Sequence, residues 1–165
     1  MTAPCYFDSS ALVKLYILEP GSRWVRRLIE TPQASSPSVI SSKLSVVETT
    51  GAFFKRHRQG LISENLKQRL VARFLYDTQY RYSLTAPGDD VLKLAIDLFQ
   101  RHPLRAYDAV QLATALVVNK QIQATRQRAV ALTFISADAA LCQAARAEGL
   151  VAENPNSHAE EADYG

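Results

Sequence analysis

The sequence predicts an α/β fold of three layers, with a parallel sheet of four to five strands and helices on both of its faces. Short apolar segments alternate with longer stretches of helical periodicity along almost the whole chain. That alternation builds a parallel sheet whose strands are joined by crossover helices. The 165 residues are 47% hydrophobic, enough for one sizeable core. A single domain is therefore expected over residues 1–153, followed by a polar tail over 154–165 that is expected to be mobile.

Residues 3–7 read as the first strand, which runs into Asp8-Ser9-Ser10, side chains suited to cap a helix over 11–18. Pro20-Gly21 breaks that helix, and 22–30 reads as a second. A short strand is expected at 38–41. Residues 44–58 carry apolar side chains at helical spacing, end in Lys55-Arg56-His57-Arg58 and stop at Gly60. Ser63 then caps a long helix reaching Tyr80, so the two helices form a hairpin with a basic tip. A third strand at 81–85 is followed by a helix over 89–101, which Pro103 ends. Helix 104–120, strand 131–136, helix 138–148 and a final strand at 150–153 complete the alternation.

No apolar run approaches the roughly 18 residues of a membrane span, and the N-terminal 18 residues include Asp8 and Lys14 where a signal peptide would be apolar. A soluble, cytoplasmic protein with no membrane association is expected. Cys5 and Cys142 lack zinc-ligand spacing and read as buried free thiols. The net charge is +3, but residues 154–165 hold three acids and no Lys or Arg, leaving +6 on the rest. A basic surface of this kind suits a polyanionic substrate, and ordinary solvated side chains explain it equally.

Four carboxylates stand out. Glu48 lies between Leu44 and Ala52 on its helix, and Asp108 between Leu104 and Leu112. A charge on a core-facing stripe costs several kcal/mol unless a partner or a metal compensates it, and a buried ion pair is the competing explanation. Asp97, by contrast, has Lys93 and Arg101 one turn away on either side and reads as a salt-bridged surface residue. Asp8 and Asp138 each follow an apolar strand and open a helix. The carboxyl ends of parallel strands form a ligand crevice, while a helix cap accounts for Asp138 equally well. As a set, four carboxylates in one crevice repel one another unless Mg²⁺ or Mn²⁺ neutralises them. Two such ions orient and deprotonate a water for attack on a phosphodiester without a protein nucleophile. His57, His102 and His158 have no ligand spacing, and neither Ser9 nor Ser10 has an evident His partner.

The run Tyr6-Phe7-Asp8-Ser9-Ser10-Ala11-Leu12-Val13-Lys14, with Glu19-Pro20-Gly21-Ser22 after it, resembles the opening of PIN domains of the VapC toxin type. Ser45-Val46-Val47-Glu48 is similar to that family's second acidic motif, 104–115 around Asp108 to its third, and Phe134-Ile135-Ser136-Ala137-Asp138 to its fourth. The resemblance implies a PIN-like fold and a Mg²⁺- or Mn²⁺-dependent endoribonuclease acting on RNA. It also implies the toxin role in a type II toxin–antitoxin pair, with a cognate antitoxin and a homodimer. By position it makes Asp8, Glu48, Asp108 and Asp138 the acidic site, with the hydroxyls of Ser10 and Ser136 supporting it directly or through water.

Arg105, three residues before Asp108, is a candidate phosphate contact, and so are Lys55, Arg56 and Arg58 at the hairpin tip, with Lys67, Arg69 and Arg73 on the next helix. Trp24, Tyr76, Tyr80 and Tyr82 read as core or dimer contacts rather than base-stacking platforms. Two other Mg²⁺-using classes on similar sheets fit less well. A haloacid-dehalogenase-like phosphatase needs a second Asp where Ser10 stands, and a signalling receiver needs adjacent acids after the first strand. A PIN-like binding module without activity is the remaining alternative.

Overall fold

Five short strands, β1 (Cys5–Phe7), β2 (Ile40–Ser42), β3 (Ser83–Thr85), β4 (Thr133–Ile135) and β5 (Val151–Glu153), pair in parallel in the order β3-β2-β1-β4-β5. The structure is a computed structural model and describes residues 4–30, 39–125 and 131–158. Helices α1 (Ser9–Tyr16), α2 (Ser22–Glu30), α3 (Leu44–Arg58), α4 (Glu64–Tyr80), α5 (Asp89–Leu98), α6 (Ala106–Thr125) and α7 (Ala139–Ala147) connect the strands. The α/β class and the layering expected from the sequence are the ones observed. Ala3 and Ser38, expected to open β1 and β2, lie outside the described residues.

Strand geometry sets the layers. Successive side chains of a strand point to opposite faces, so Cys5 and Phe7 enter one core while Tyr6 enters the other. The first core gathers Leu12, Val25, Phe53 and Phe74 from α1 to α4. The second gathers Val91, Leu98, Leu112 and Leu141 from α5 to α7 and includes the stacked Tyr6–Phe134 pair. Moving outward from β1 to β2 and β3, the chain lays its crossovers on one face. It then returns across the sheet to β4 and β5 and lays them on the other, as right-handed connections require. β1 and β4 therefore diverge at the topological switch point, where parallel sheets open a crevice at the strands' carboxyl ends.

Several charged and aromatic side chains take places the sequence did not indicate. Lys67 is buried over the Phe54 ring at 4.6 Å and pairs with Glu64 at 2.7 Å, and Arg73 pairs with the buried Asp77 at 3.0 Å. Arg56 turns inward to Glu19. Much of the basic hairpin is thus committed within the chain, while Lys55, Arg58 and Arg69 remain exposed. Arg101 forks onto Glu148 at 2.8 and 3.1 Å, a bidentate charge-assisted pair, and meets Asp97 through its backbone carbonyl instead of its carboxylate. Tyr82 packs against the first core and contacts the Tyr16 hydroxyl at 2.5 Å, whereas Tyr76 and Tyr80 stand exposed rather than in the core. Among the described residues no helix is long and apolar enough to cross a membrane. Cys5 and Cys142 are buried free thiols.

The stretch expected as a polar tail from residue 154 opens with a structured turn. Residues Pro155–His158 form a 3₁₀ turn on α2, with Pro155 buried and His158 stacked on Trp24 at 4.1 Å between ring centroids. Residues 159–165 lie outside the described residues. Gly21 makes room for this turn: its φ is +78°, and a Cβ there would sit 2.2 Å from the Pro155 carbonyl oxygen.

Two stability measurements test this packing. Gly21→Ala is expected to cost about 1 to 3 kcal/mol from the left-handed backbone alone, and more from the Pro155 contact. A chain ending at Glu153 should show the smaller loss, and equal losses in both chains would refute the contact. Thr49 Oγ1 is buried without a partner among the described residues, so Thr49→Val is expected to raise the unfolding free energy by about 1 kcal/mol in denaturant titration.

Candidate active site

Asp8 sits at the switch point. It follows β1, caps α1 and is 4% exposed. Its Oδ1 accepts from the Ala11 N–H at 2.9 Å and the Ser10 hydroxyl at 2.6 Å, and its Oδ2 accepts from the Ser136 hydroxyl at 2.5 Å. Ser10 Oγ in turn accepts from the Ala137 N–H at 2.8 Å, and Ser136 Oγ accepts from the Asp138 N–H at 3.1 Å. The start of α1 and the turn after β4 are thereby stitched together through one carboxylate. Burial pushes the Asp8 carboxyl up to about 6, despite three donors that favour its charged form.

Glu48 approaches from α3 on the other side. It is half-buried, lies beside the Ser9 hydroxyl and accepts from Gln111 Nε2 at 3.2 Å. Gln111 is 2% exposed and links three elements. Its Oε1 accepts from the Tyr6 hydroxyl at 2.7 Å, and its Nε2 also donates to Ser45 Oγ at 2.8 Å. Ser41 Oγ, 2.8 Å from Ser45 Oγ, donates to the Phe7 carbonyl at 2.6 Å, so the chain of bonds returns to β1 immediately before Asp8.

Asp108 lies in the first turn of α6, and Asp138 caps α7 by accepting from the Leu141 N–H at 3.0 Å. The helix cap weighed for Asp138 is thus observed, and the side chain is exposed as well. Burial raises the affinity of Glu48 and Asp108 for protons. Neighbouring carboxylates add to it: Asp108 acts on Glu48 and Asp138 acts on Asp108, while Arg105 partly offsets the effect at Asp108. Glu48 also acts on Asp8, so the four acids form a line of neighbours around the crevice.

Among the described residues no Lys, Arg or His forms an ion pair with any of these four, so none of those residues supplies the partner that a buried ion pair would need at Glu48 or Asp108. Nor, among the described residues, are three His, Cys, Asp or Glu side chains drawn into a closed metal-holding group. Like charges that lack a counter-ion gain nothing by closing up.

A pocket of about 380 Å³ opens beside Glu48, lined among others by Ser9, Ser10, Lys14, Glu19, Arg56 and Asn156. Arg56 is the one hairpin candidate on its wall; Lys55 and Arg58 are not among its lining residues, and Arg105 is exposed beside Asp108. Sequence reasoning did not pick out Gln111, Lys14, Glu19 or Asn156 as site residues. A polar side chain inside the apolar run of α6 was the available signal for Gln111. Asn156 carried none, because it belongs to a turn placed in the tail.

The PIN domain family model matches residues 5–147. Among solved structures, a chain of a toxin–antitoxin complex from Klebsiella pneumoniae superposes with a TM-score of 0.55 at 20% identity, covering 92% of this chain and 97% of that one. The crystal structure of PAE2754 from Pyrobaculum aerophilum superposes with a TM-score of 0.57 at 15% identity, covering 100% and 98%. At such identities the likeness is one of fold. No curated protein matches the chain in sequence. PIN domains are typically nucleases and generally use divalent metals, and by the match over 5–147 this chain belongs to the PIN domain family.

Proposed function

We propose that this PIN domain is a divalent-metal-dependent endoribonuclease that hydrolyses RNA phosphodiester bonds. The observation that carries the reading is Asp8: a buried carboxylate, held by three donors and faced by other carboxylates, with no basic side chain paired to any of the four among the described residues. An all-oxygen set of this kind fits a hard cation, Mg²⁺ or Mn²⁺, and fits soft metals poorly. Asp8, Glu48, Asp108 and Asp138 would hold it, with Ser10 and Ser136 supporting Asp8. When bound, such an ion supplies water activation and charge neutralisation at the phosphate.

The chain's own side chains prepare that chemistry. Ser10, Ser136 and the Ala11 N–H fix both oxygens of Asp8, so its lone pairs are oriented before substrate arrives. Gln111 and Ser9 do the same for Glu48. Hydrolysis forms a P–O bond to water and breaks the P–O bond to the leaving ribose oxygen. Glu48 and Asp108, whose affinity for protons is raised, are suited to take the proton the water gives up. Arg105 lies where it offers positive charge to the phosphate. Its exposure and its closeness to Asp108 support that role.

The finer reading is the toxin of a type II toxin–antitoxin pair, acting in the cytoplasm as a homodimer and countered by a cognate antitoxin. Its support is the likeness of the four acidic motifs to VapC-type PIN domains, together with the fold shared with a chain from a toxin–antitoxin complex.

Asp8 also shapes stability. Its folded pKa of about 6 lies above the unfolded value of about 3.9, so the folded state binds more protons between those values. Stability without metal therefore falls as pH rises through this window, and above it the ionised Asp8 opposes folding by on the order of 3 kcal/mol.

Three outcomes are expected. Asp8→Asn should lower RNA cleavage by ~100-fold or more while raising the thermal midpoint at pH 7 in EDTA, because it removes the buried charge and keeps the side chain's shape, its amide donating to the Ser136 oxygen where the carboxylate accepts. The midpoint gap between variant and parent should close as pH falls from 7 to 4; a gap independent of pH would contradict the linkage. Mg²⁺ or Mn²⁺ should restore cleavage lost to EDTA and raise the parent's midpoint more than the variant's, and cleavage that survives EDTA would overturn the mechanism.

A further inference from the structure

Lys14 is an unusual residue to find inside this molecule. It is 4% exposed, on the apolar inner face of α1, in a run of Ala11, Leu12 and Val13 that packs in the first core. Its ammonium donates to the Pro20 carbonyl at 2.8 Å and reaches Glu19 Oε2 at 3.4 Å, and its third N–H has no partner among the described residues. A buried ammonium needs compensation, and two contacts, one of them long, leave it short. Its side chain lines the pocket beside Glu48.

Glu19 is the other half of the arrangement. One of its oxygens faces Lys14 and the other is paired with Arg56, reaching in from the opposite wall. The backbone N–H of Glu19 is held by Ser22 Oγ at 2.8 Å, and that hydroxyl donates to the Ile17 carbonyl at 2.9 Å, so the turn at Pro20 is itself fixed. Lys14 stands a turn beyond Ser10 on α1, and Arg56 stands two turns beyond Glu48 on α3, so two cations clasped by one anion leave one end of the cavity net positive while Ser9, Ser10 and Glu48 line the other. With a volume of about 380 Å³ the cavity admits one nucleotide unit rather than a paired duplex.

We propose that Lys14 and Arg56 form a phosphate-binding subsite for the RNA nucleotide next to the scissile bond, and that Glu19 is a positioning residue that keeps both cations turned toward the pocket. The assignment rests on the endoribonuclease reading and extends it from the cleaved phosphate to its neighbour. A phosphate supplies the acceptor that the third N–H of Lys14 lacks, and Arg56 adds a planar fork matched to phosphate oxygens. Single-stranded RNA is the form that reaches such a pocket, since its backbone bends away from a pairing partner.

The test measures binding of a fluorescent single-stranded RNA oligonucleotide to the uncleaving Asp8→Asn protein across a salt series. Lys14→Met, Arg56→Met and Glu19→Gln are added in turn, with Lys93→Met on α5 as the control. Each cation variant is expected to weaken binding about 5- to 10-fold and lower the salt slope by about one, the loss of one phosphate contact. Glu19→Gln is the discriminating variant. It makes the protein more basic, so general charge attraction would tighten binding, whereas loss of positioning weakens it. Arg56 and Glu19 are partly exposed, so their variants decide the matter if Lys14→Met fails to fold. Undiminished binding in Arg56→Met, or tighter binding in Glu19→Gln, would overturn the subsite and leave the nuclease reading standing. Absence of RNA binding by the Asp8→Asn protein itself would overturn both.

Discussion

Everything at this site hangs from the Asp8 carboxylate, buried where β1 and β4 part company. A short parallel sheet has little to hold its carboxyl ends together, because hydrogen bonds between strands stop with the strands. Here the join continues for several residues beyond them. Ser10 bridges Asp8 and the Ala137 amide, and Ser136 bridges Asp8 and the Asp138 amide. The burial that places Asp8 correctly also opposes its ionisation. Structure and chemistry thus pull in opposite directions on one side chain, as is usual where a protein stores function.

The second acid is set by a different device. Glu48 is not held by its own strand but through Gln111, which belongs to a helix of the opposite layer and also meets the Tyr6 hydroxyl. With the Ser9 hydroxyl of α1 beside it as well, Glu48 takes its orientation from both layers, and through Gln111 from the core that includes Phe134, Leu112 and Tyr6. A polar side chain of this kind, fully satisfied inside an apolar helix, specifies one arrangement of its neighbours more sharply than packing alone.

Most of the fold was legible from alternation. Short apolar runs, Pro20-Gly21, Gly60 and the capping hydroxyls set the order and type of α1 to α7 and β1 to β5, with most ends within a few residues. That four acids would gather around one crevice was legible as well, for two distinct reasons: apolar neighbours for Glu48 and Asp108, strand ends for Asp8 and Asp138. What could not be read was how side chains pair over distance. Arg56 looked like a free hairpin cation and is turned onto Glu19, 37 residues away in sequence. Lys14 stood in the sequence as a charge within an apolar run, and only the turn at Glu19 and Pro20 shows why it is tolerated there. The Pro155–His158 turn was hidden in a polar stretch, because its burial depends on the absence of a side chain at Gly21. Such facts are tertiary, and local pattern carries no trace of them.

The two helical layers contribute unequally to the crevice, and this gives the sheet an added duty. Glu48 rides on the α1–α4 layer, Asp108 and Asp138 on the α5–α7 layer, and Asp8 at the end of the strand between them. The sheet works as a ruler: the placement of the acids of one layer relative to those of the other is set by side-chain volumes such as those of Phe7, Ile135 and Phe134. A substitution deep in either core, far from any ligand, moves one jaw relative to the other. Neutral drift in this protein is then constrained by total core volume as much as by the identity of the acids.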